Sequence, residues 1–94
     1  MENNDKIIIT VSGSDKVGIV AKVATILAEC GVNIEDIKQT LMQGHFVMFM
    51  LCSIANANKP FAEFQTVLKE ECKQMGMEVW IQRKEIFDCM HNVG

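Results

Sequence analysis

The alternation of apolar and polar residues changes period several times along the 94-residue chain, and glycines or the single proline mark most of the changes. Lys6 to Ser12 (KIIITVS) is compact and rich in β-branched residues, which predicts a strand. Gly13 to Gly18 (GSDKVG) predicts a loop. From Val17 the spacing becomes helical: Val20, Val23, Ala24, Leu27 and Ala28 form one stripe, widened by Ile19, Ile26 and Cys30. Lys22 and Glu29 point elsewhere. Gly31 stands just past the last periodic residue, where a helix readily ends in the left-handed conformation.

Asn33 to Met42 returns to an approximate period of two, with Ile37, Gln39 and Leu41 opposing Asp36, Lys38, Thr40 and Met42. Gln43-Gly44 predicts a hairpin turn. His45 to Ile54 is apolar on both sets of alternate positions, with Phe46, Met48, Met50 and Cys52 on one and Val47, Phe49 and Leu51 on the other. Such a strand is expected at the centre of a sheet and covered on both faces. Pro60 suits the first turn of a second helix, whose apolar stripe is Phe61, Phe64, Leu68, Cys72 and Met75 and whose stop is Gly76. Met77 to Arg83 alternates again, with Met77, Val79 and Ile81 opposite Glu78, Trp80 and Gln82. Lys84 to His91 adds a short helical turn anchored by Ile86, Phe87 and Met90.

The predicted order is β-α-β-β-α-β, the ferredoxin-like α+β sandwich: a four-stranded antiparallel sheet with two helices on one face. The other face of such a sheet is polar in a monomer, so a third strand that is apolar on both sides implies a second subunit against it. The alternative is that the C-terminal segment folds back over that face. A homo-oligomer, dimer or tetramer, is the expectation carried forward.

Composition narrows the class. Residues 1–94 make one domain with a core of about 6–91, and 49% hydrophobic residues exclude a disordered tail. A net charge of −3 argues against a nucleic-acid coat or a polybasic membrane anchor. The polar, acidic stretch Met1 to Lys6 is unlike a secretory leader, and no apolar run approaches the length of a membrane helix. Cys30, Cys52, Cys72 and Cys89 form no C-x-x-C pair, so they read as free thiols serving as small apolar side chains in a cytoplasmic protein.

Catalytic chemistry is hard to find. An RNA-binding sheet of this shape stacks bases on exposed aromatics among basic residues, yet Tyr is absent and Arg83 is the only arginine. The loop Ser12 to Gly18 has no thiol for a metal chaperone and no arginine for phosphate, and its Gly13, Lys16 and Gly18 miss the Walker spacing. No metal site, no cofactor and no nucleophile–base set is expected, so the chain is read as a non-enzyme.

The loop and the helix it opens are the better candidate. Asp15 can accept hydrogen bonds from the first turn, and Gly18 permits a close approach. The free N–H groups from Lys16 to Val20, at the positive end of the helix, suit a carboxylate. The structural alternative is that Asp15 only caps the helix and Gly18 only avoids a clash. After the helix, Gly31-Val32-Asn33-Ile34-Glu35-Asp36 is expected to bring the chain back toward that loop. Asn33 would then supply a donor and an acceptor, while Glu35 and Asp36 would either face an ammonium or belong to a solvated turn, the reading preferred for Glu35.

Asp15-Lys16-Val17-Gly18-Ile19-Val20, followed by Leu27-Ala28-Glu29-Cys30-Gly31-Val32-Asn33-Ile34, resembles the signature of the ACT domain, a regulatory module that binds amino acids and related small molecules. The similarity runs from Lys6 to about His91. It is strongest to the free-standing type related to the ACT domains of the glycine-cleavage repressor and formyltetrahydrofolate deformylase, as Gln39-Thr40, Met48-x-Met50 and the ending Glu85-Ile86-Phe87-x-x-Met90-His91 also indicate. The resemblance implies a homodimer with its effector at the subunit interface, lined by Gly18 and Asn33 and their neighbours Asp15, Lys16, Val17, Ile19, Val20 and Ile34. Val17 stands where the family often has proline, so this helix start keeps its N–H and is less rigid. The expected function is an amino-acid or metabolite sensor. The alternative is a protein-interaction module that has lost its ligand and acts in trans on a metabolic enzyme or regulator.

Overall fold

The computed structural model describes residues 5–14 and 18–84. Its elements are β1 (Lys6–Ser14), α1 (Ile19–Glu29), β2 (Asn33–Met42), β3 (His45–Ser53), α2 (Phe61–Gln74) and β4 (Glu78–Arg83). They build one antiparallel four-stranded sheet in the order β2-β3-β1-β4, the predicted ferredoxin-like arrangement. β1 runs further than the sequence pattern suggests because Gly13 and Ser14 stay paired with Phe46 and His45. The expected helical turn over Lys84–His91 lies beyond the described residues except for Lys84 itself. Among the described residues no helix is long and apolar enough to cross a membrane.

Pleating decides which side chains meet the helices. Ile7, Ile9 and Val11 of β1 stand opposite Cys52, Met50 and Met48 of β3, and all six are buried. α1 covers this face through Ile19, Val23, Ile26 and Leu27, and α2 through Phe64, Leu68 and Cys72. Each fully buried residue of the Leu, Ile or Phe type stabilises the fold by roughly 1.5–3 kcal/mol. Lys22 of α1 and Glu71 of α2 bridge the two helices at 3.0 Å, a half-exposed pair that contributes little.

The far end of α1 is closed by a loop. Cys30 ends the helix and Gly31 follows with φ 76°. The Asn58 backbone N–H donates to the Cys30 carbonyl at 2.8 Å, and its side-chain Nδ2 donates to the Glu29 carbonyl at 3.0 Å. These bonds satisfy carbonyls that a helix end otherwise leaves to water. The loop lies so close that a Cβ at Gly31 would sit 2.7 Å from the Asn56 carbonyl oxygen.

Cys30, Cys52 and Cys72 are free and buried, as the sequence suggested. Burial pushes the Cys52 thiol up to about 12, with the Glu35 charge adding to it. Burial likewise raises Cys72 to about 11, helped by Glu71. The folded chain therefore keeps protons that the unfolded chain releases near the ordinary value of 9.0. The resulting stability is complete below pH 9 and is lost as the pH rises through the folded values. Urea midpoints should fall above pH 9, and less steeply in Cys52→Ala. A slope unchanged by that substitution contradicts the assignment.

Candidate functional site

Of the residues singled out in the first loop, Asp15, Lys16 and Val17 lie outside the described residues. Gly18, Ile19 and Val20 form the entry to α1. Gly18 is its N-cap with φ 88°, and among the described residues there is neither a capping side chain nor an acidic residue in the first turn. The Gly18 carbonyl accepts the first described helical bond, from the Lys22 N–H at 2.9 Å. The amides of Ile19, Val20 and Ala21 precede that bond and so have no helical acceptor among the described residues. Side-chain directions differ: Ile19 is 2% exposed and belongs to the core, while Val20 is partly buried against it. Ile19 therefore offers a ligand only its backbone, whereas Val20 keeps part of its side chain exposed.

Among the described residues, Gly18 avoids no clash with a neighbouring strand, the structural alternative read from the sequence. A Cβ there would meet none of the described residues within 4 Å. Glycine is needed for the left-handed turn, and the open space beside it leaves room for a ligand at the positive end of the helix.

The second cluster sits elsewhere. Asn33 is exposed at the start of β2 and pairs with Ser53, which pairs with Lys6 at the start of β1. Gly18 follows Ser14 at the other end of β1. Eleven residues of α1 separate the two positions, about 17 Å along the helix axis. Within one chain, the structure therefore contradicts the expectation that Gly31–Asp36 returns to the first loop. Ile34 is half-buried and packs on the core. Glu35 falls where the β2–β3 register slips between Ile34 and Asp36, and its carboxylate is ion-paired with Lys6. Asp36 Oδ1 accepts from the Ile37 N–H at 2.9 Å. Both carboxylates already have partners in the fold.

One contact escaped the sequence reading. Ser12 Oγ and His45 Nε2 lie 3.0 Å apart on the face away from the helices, at the same end of the sheet as Gly18. β1 and β3 place them two residues out of register, and no short motif signals that. A hydroxyl–imidazole pair this exposed is a hydrogen bond on a surface. Among the described residues, no group of three or more His, Cys, Asp or Glu side chains is placed to hold a metal.

The outer strand β2 is the other notable feature. Ile37 and Leu41 share the helix-side face with Met50 and Phe46, yet they remain 37% and 58% exposed. The helices do not reach over this edge, and among the described residues no strand lies beside the outward backbone groups of β2.

Comparison with known proteins places this geometry. The sequence model of the ACT domain matches residues 5–82. A UPF0237 protein of Methanosarcina acetivorans is 46% identical over 90 residues, covering 96% of this chain and 98% of that relative. A UPF0237 protein of Clostridium acetobutylicum is 47% identical over 88 residues, covering 94% and 99%. Among solved structures, an ACT domain protein from Streptococcus pneumoniae superposes with a TM-score of 0.75 at 36% identity, over 88% of this chain and 93% of that one. A putative glycine cleavage system transcriptional repressor gives 0.73 at 26% identity, with 83% of this chain matching 44% of that chain. The formyltetrahydrofolate deformylase of Pseudomonas putida, at 20% identity and a TM-score of 0.74, shares the fold over 28% of its length. By sequence and by architecture, the chain belongs to the ACT domain family.

Proposed function

We propose that this chain is a non-enzymatic sensor that binds an amino acid or related metabolite at the interface of a homodimer. The observation that carries this reading is the entry to α1: a left-handed Gly18 and, among the described residues, open space around it and helix amides with no capping side chain. A carboxylate fits that end. Asn33, too far away within its own chain, joins the site from the partner.

The edge of β2 supports such a pairing. Among antiparallel pairings of β2 with itself, a two-fold axis at Gln39 keeps Asp36–Met42 regular and sets Ile37 against Leu41 of the partner subunit. Centring on Lys38 would oppose two like charges, and centring on Ile37 would run into the slip at Glu35. The Gln39 register carries Asn33 of the partner subunit about 10 Å past Met42 along the strand direction. Met42 is level with His45 and Ser14, the end of the sheet where β1 leads into Gly18. Pairing also gives the exposed edge a partner and covers Ile37 and Leu41. The Ile37 N–H, now held by Asp36, is one donor released to the partner strand.

The buried free thiols Cys30, Cys52 and Cys72 fit a reducing compartment, so we assign the protein to the cytoplasm. Its effect on metabolism is exerted through the ligand-stabilised dimer, since a ligand shifts an assembly only by its preference for one state.

A thermal-stability screen against the twenty amino acids and folate-related metabolites tests the proposal. At least one compound should raise Tm. A chain that responds to none, while holding a stable protein partner, would instead be the interaction module. Gln39→Pro tests the edge separately: it removes a backbone donor at the axis and should leave a folded monomer by light scattering. An unchanged dimer overturns the β2 pairing.

A further inference from the structure

The sheet face opposite the helices is not uniformly polar. Its centre holds an apolar groove of about 320 Å³, formed by Ile8 of β1 and Phe49 and Leu51 of β3, with Asp36 and Lys38 of β2 on its rim. Ile8 is only 8% exposed, although it stands on this face and outside the main core cluster. Phe49 is 41% exposed and Trp80, in the same row across Thr10, is 50% exposed.

We propose that this groove is the docking site of the chain's own residues 85–94, with Ile86 and Phe87 seated against Ile8 and Leu51. Three observations choose this occupant over a second copy. First, β4 delivers the chain at the right place: Arg83 pairs with Ile7, one residue from Ile8, on the strand next to β1. Neighbouring strands are about 4.8 Å apart, so Leu51, two strands away, lies within reach of the three residues from Arg83 to Ile86, which span at most about 10 Å. Second, the groove is the size of one or two large side chains. A stable dimer interface needs roughly 800 Å² per partner, much more than this groove offers. Third, the charges agree. Residues 85–94 carry Glu85 and Asp88 and no lysine or arginine. On the rim, Lys38 has no ion pair among the described residues and can meet either carboxylate. The face occupied in this way leaves the β2 edge for a second copy.

Trp80, the only tryptophan, reports on the face directly. Its emission and acrylamide quenching are measured in the full chain, in a chain ending at Lys84, and in full-length Phe87→Asp and Lys38→Glu. Methyl NMR resonances of Ile8 and Leu51 are followed in parallel. Removing or disabling the segment should shift Trp80 emission to the red, strengthen quenching and move both methyl resonances, at every protein concentration. A synthetic peptide of residues 85–94 should reverse these changes in the shortened chain at about millimolar concentration, the effective concentration a short tether supplies. If the shortened chain does not fold, Phe87→Asp carries the comparison. Identical Trp80 and methyl signals in all four proteins overturn the proposal. So does protection that disappears when the full chain is diluted, because a second copy then covers the face.

Discussion

Gly31→Ala is expected to destabilise the domain by about 2–5 kcal/mol, the larger of two contrasting glycine effects. Gly31 and Gly18 are both left-handed, with φ 76° and 88°, and an alanine at either costs about 1–2 kcal/mol of backbone strain. Only Gly31 faces a second penalty, because its added Cβ would lie 2.7 Å from the Asn56 carbonyl oxygen. That oxygen belongs to backbone held in place by Asn58, which donates to both Glu29 and Cys30. Relieving the overlap means breaking those bonds or shifting α1, an overpacking term of about 1–3 kcal/mol. For a domain of this size the combined loss lowers Tm by about 10 °C or more. Gly18→Ala should lose only the strain term. Thermal melts of the two variants decide the point, and equal losses would show that the 56–58 loop does not brace the helix end.

The second large effect concerns ligand response. A ligand supplied at a hundred times its dissociation constant adds about 2.7 kcal/mol to the stability of the state it binds, several degrees of Tm here. Gly18→Asp puts a carboxylate where the ligand's carboxylate would sit and keeps a residue type that tolerates the left-handed backbone. Asn33→Ala removes a donor and an acceptor from an exposed position, so it should leave the unliganded Tm close to the parent value. Both variants should lose the ligand-induced rise. A retained rise in Asn33→Ala would restrict the site to the α1 entry.

Much of the fold was legible because period and punctuation agree. The β-branched run of β1, the stripe from Val23 to Leu27 and the alternation of Met77, Val79 and Ile81 each point one way, and the structure buries Ile7, Ile9, Val11, Val23, Leu27, Met77 and Val79 and half-buries Ile81. The doubly apolar β3 was equally legible, and it occupies an inner position with Phe49 and Leu51 on the face opposite the helices. The relation between distant segments was harder to read. Gly18 and Asn33 are fifteen residues apart in sequence, but α1 and a strand that starts at the opposite end of the sheet hold them apart in space. A linear pattern has no term for that separation. The slip at Glu35, the role of Asn58 and the Ser12–His45 contact likewise arise from register and loop packing, which residue types at given spacings do not encode. Exposure of Ile37 and Leu41 follows from edge position alone, so their alternation looked like that of any half-buried strand.

The central claim is that one ligand is held jointly by Gly18 of one chain and Asn33 of the other. It is tested most directly by mixing Gly18→Asp with Asn33→Ala, after unfolding and refolding together, and measuring the ligand-induced rise in Tm. A mixed dimer contains one site with both mutations and one site with neither. The account predicts that each variant alone shows no rise, whereas the mixture regains a part of it. If the mixture stays as unresponsive as its components, the two residues do not meet across an interface and the claim fails.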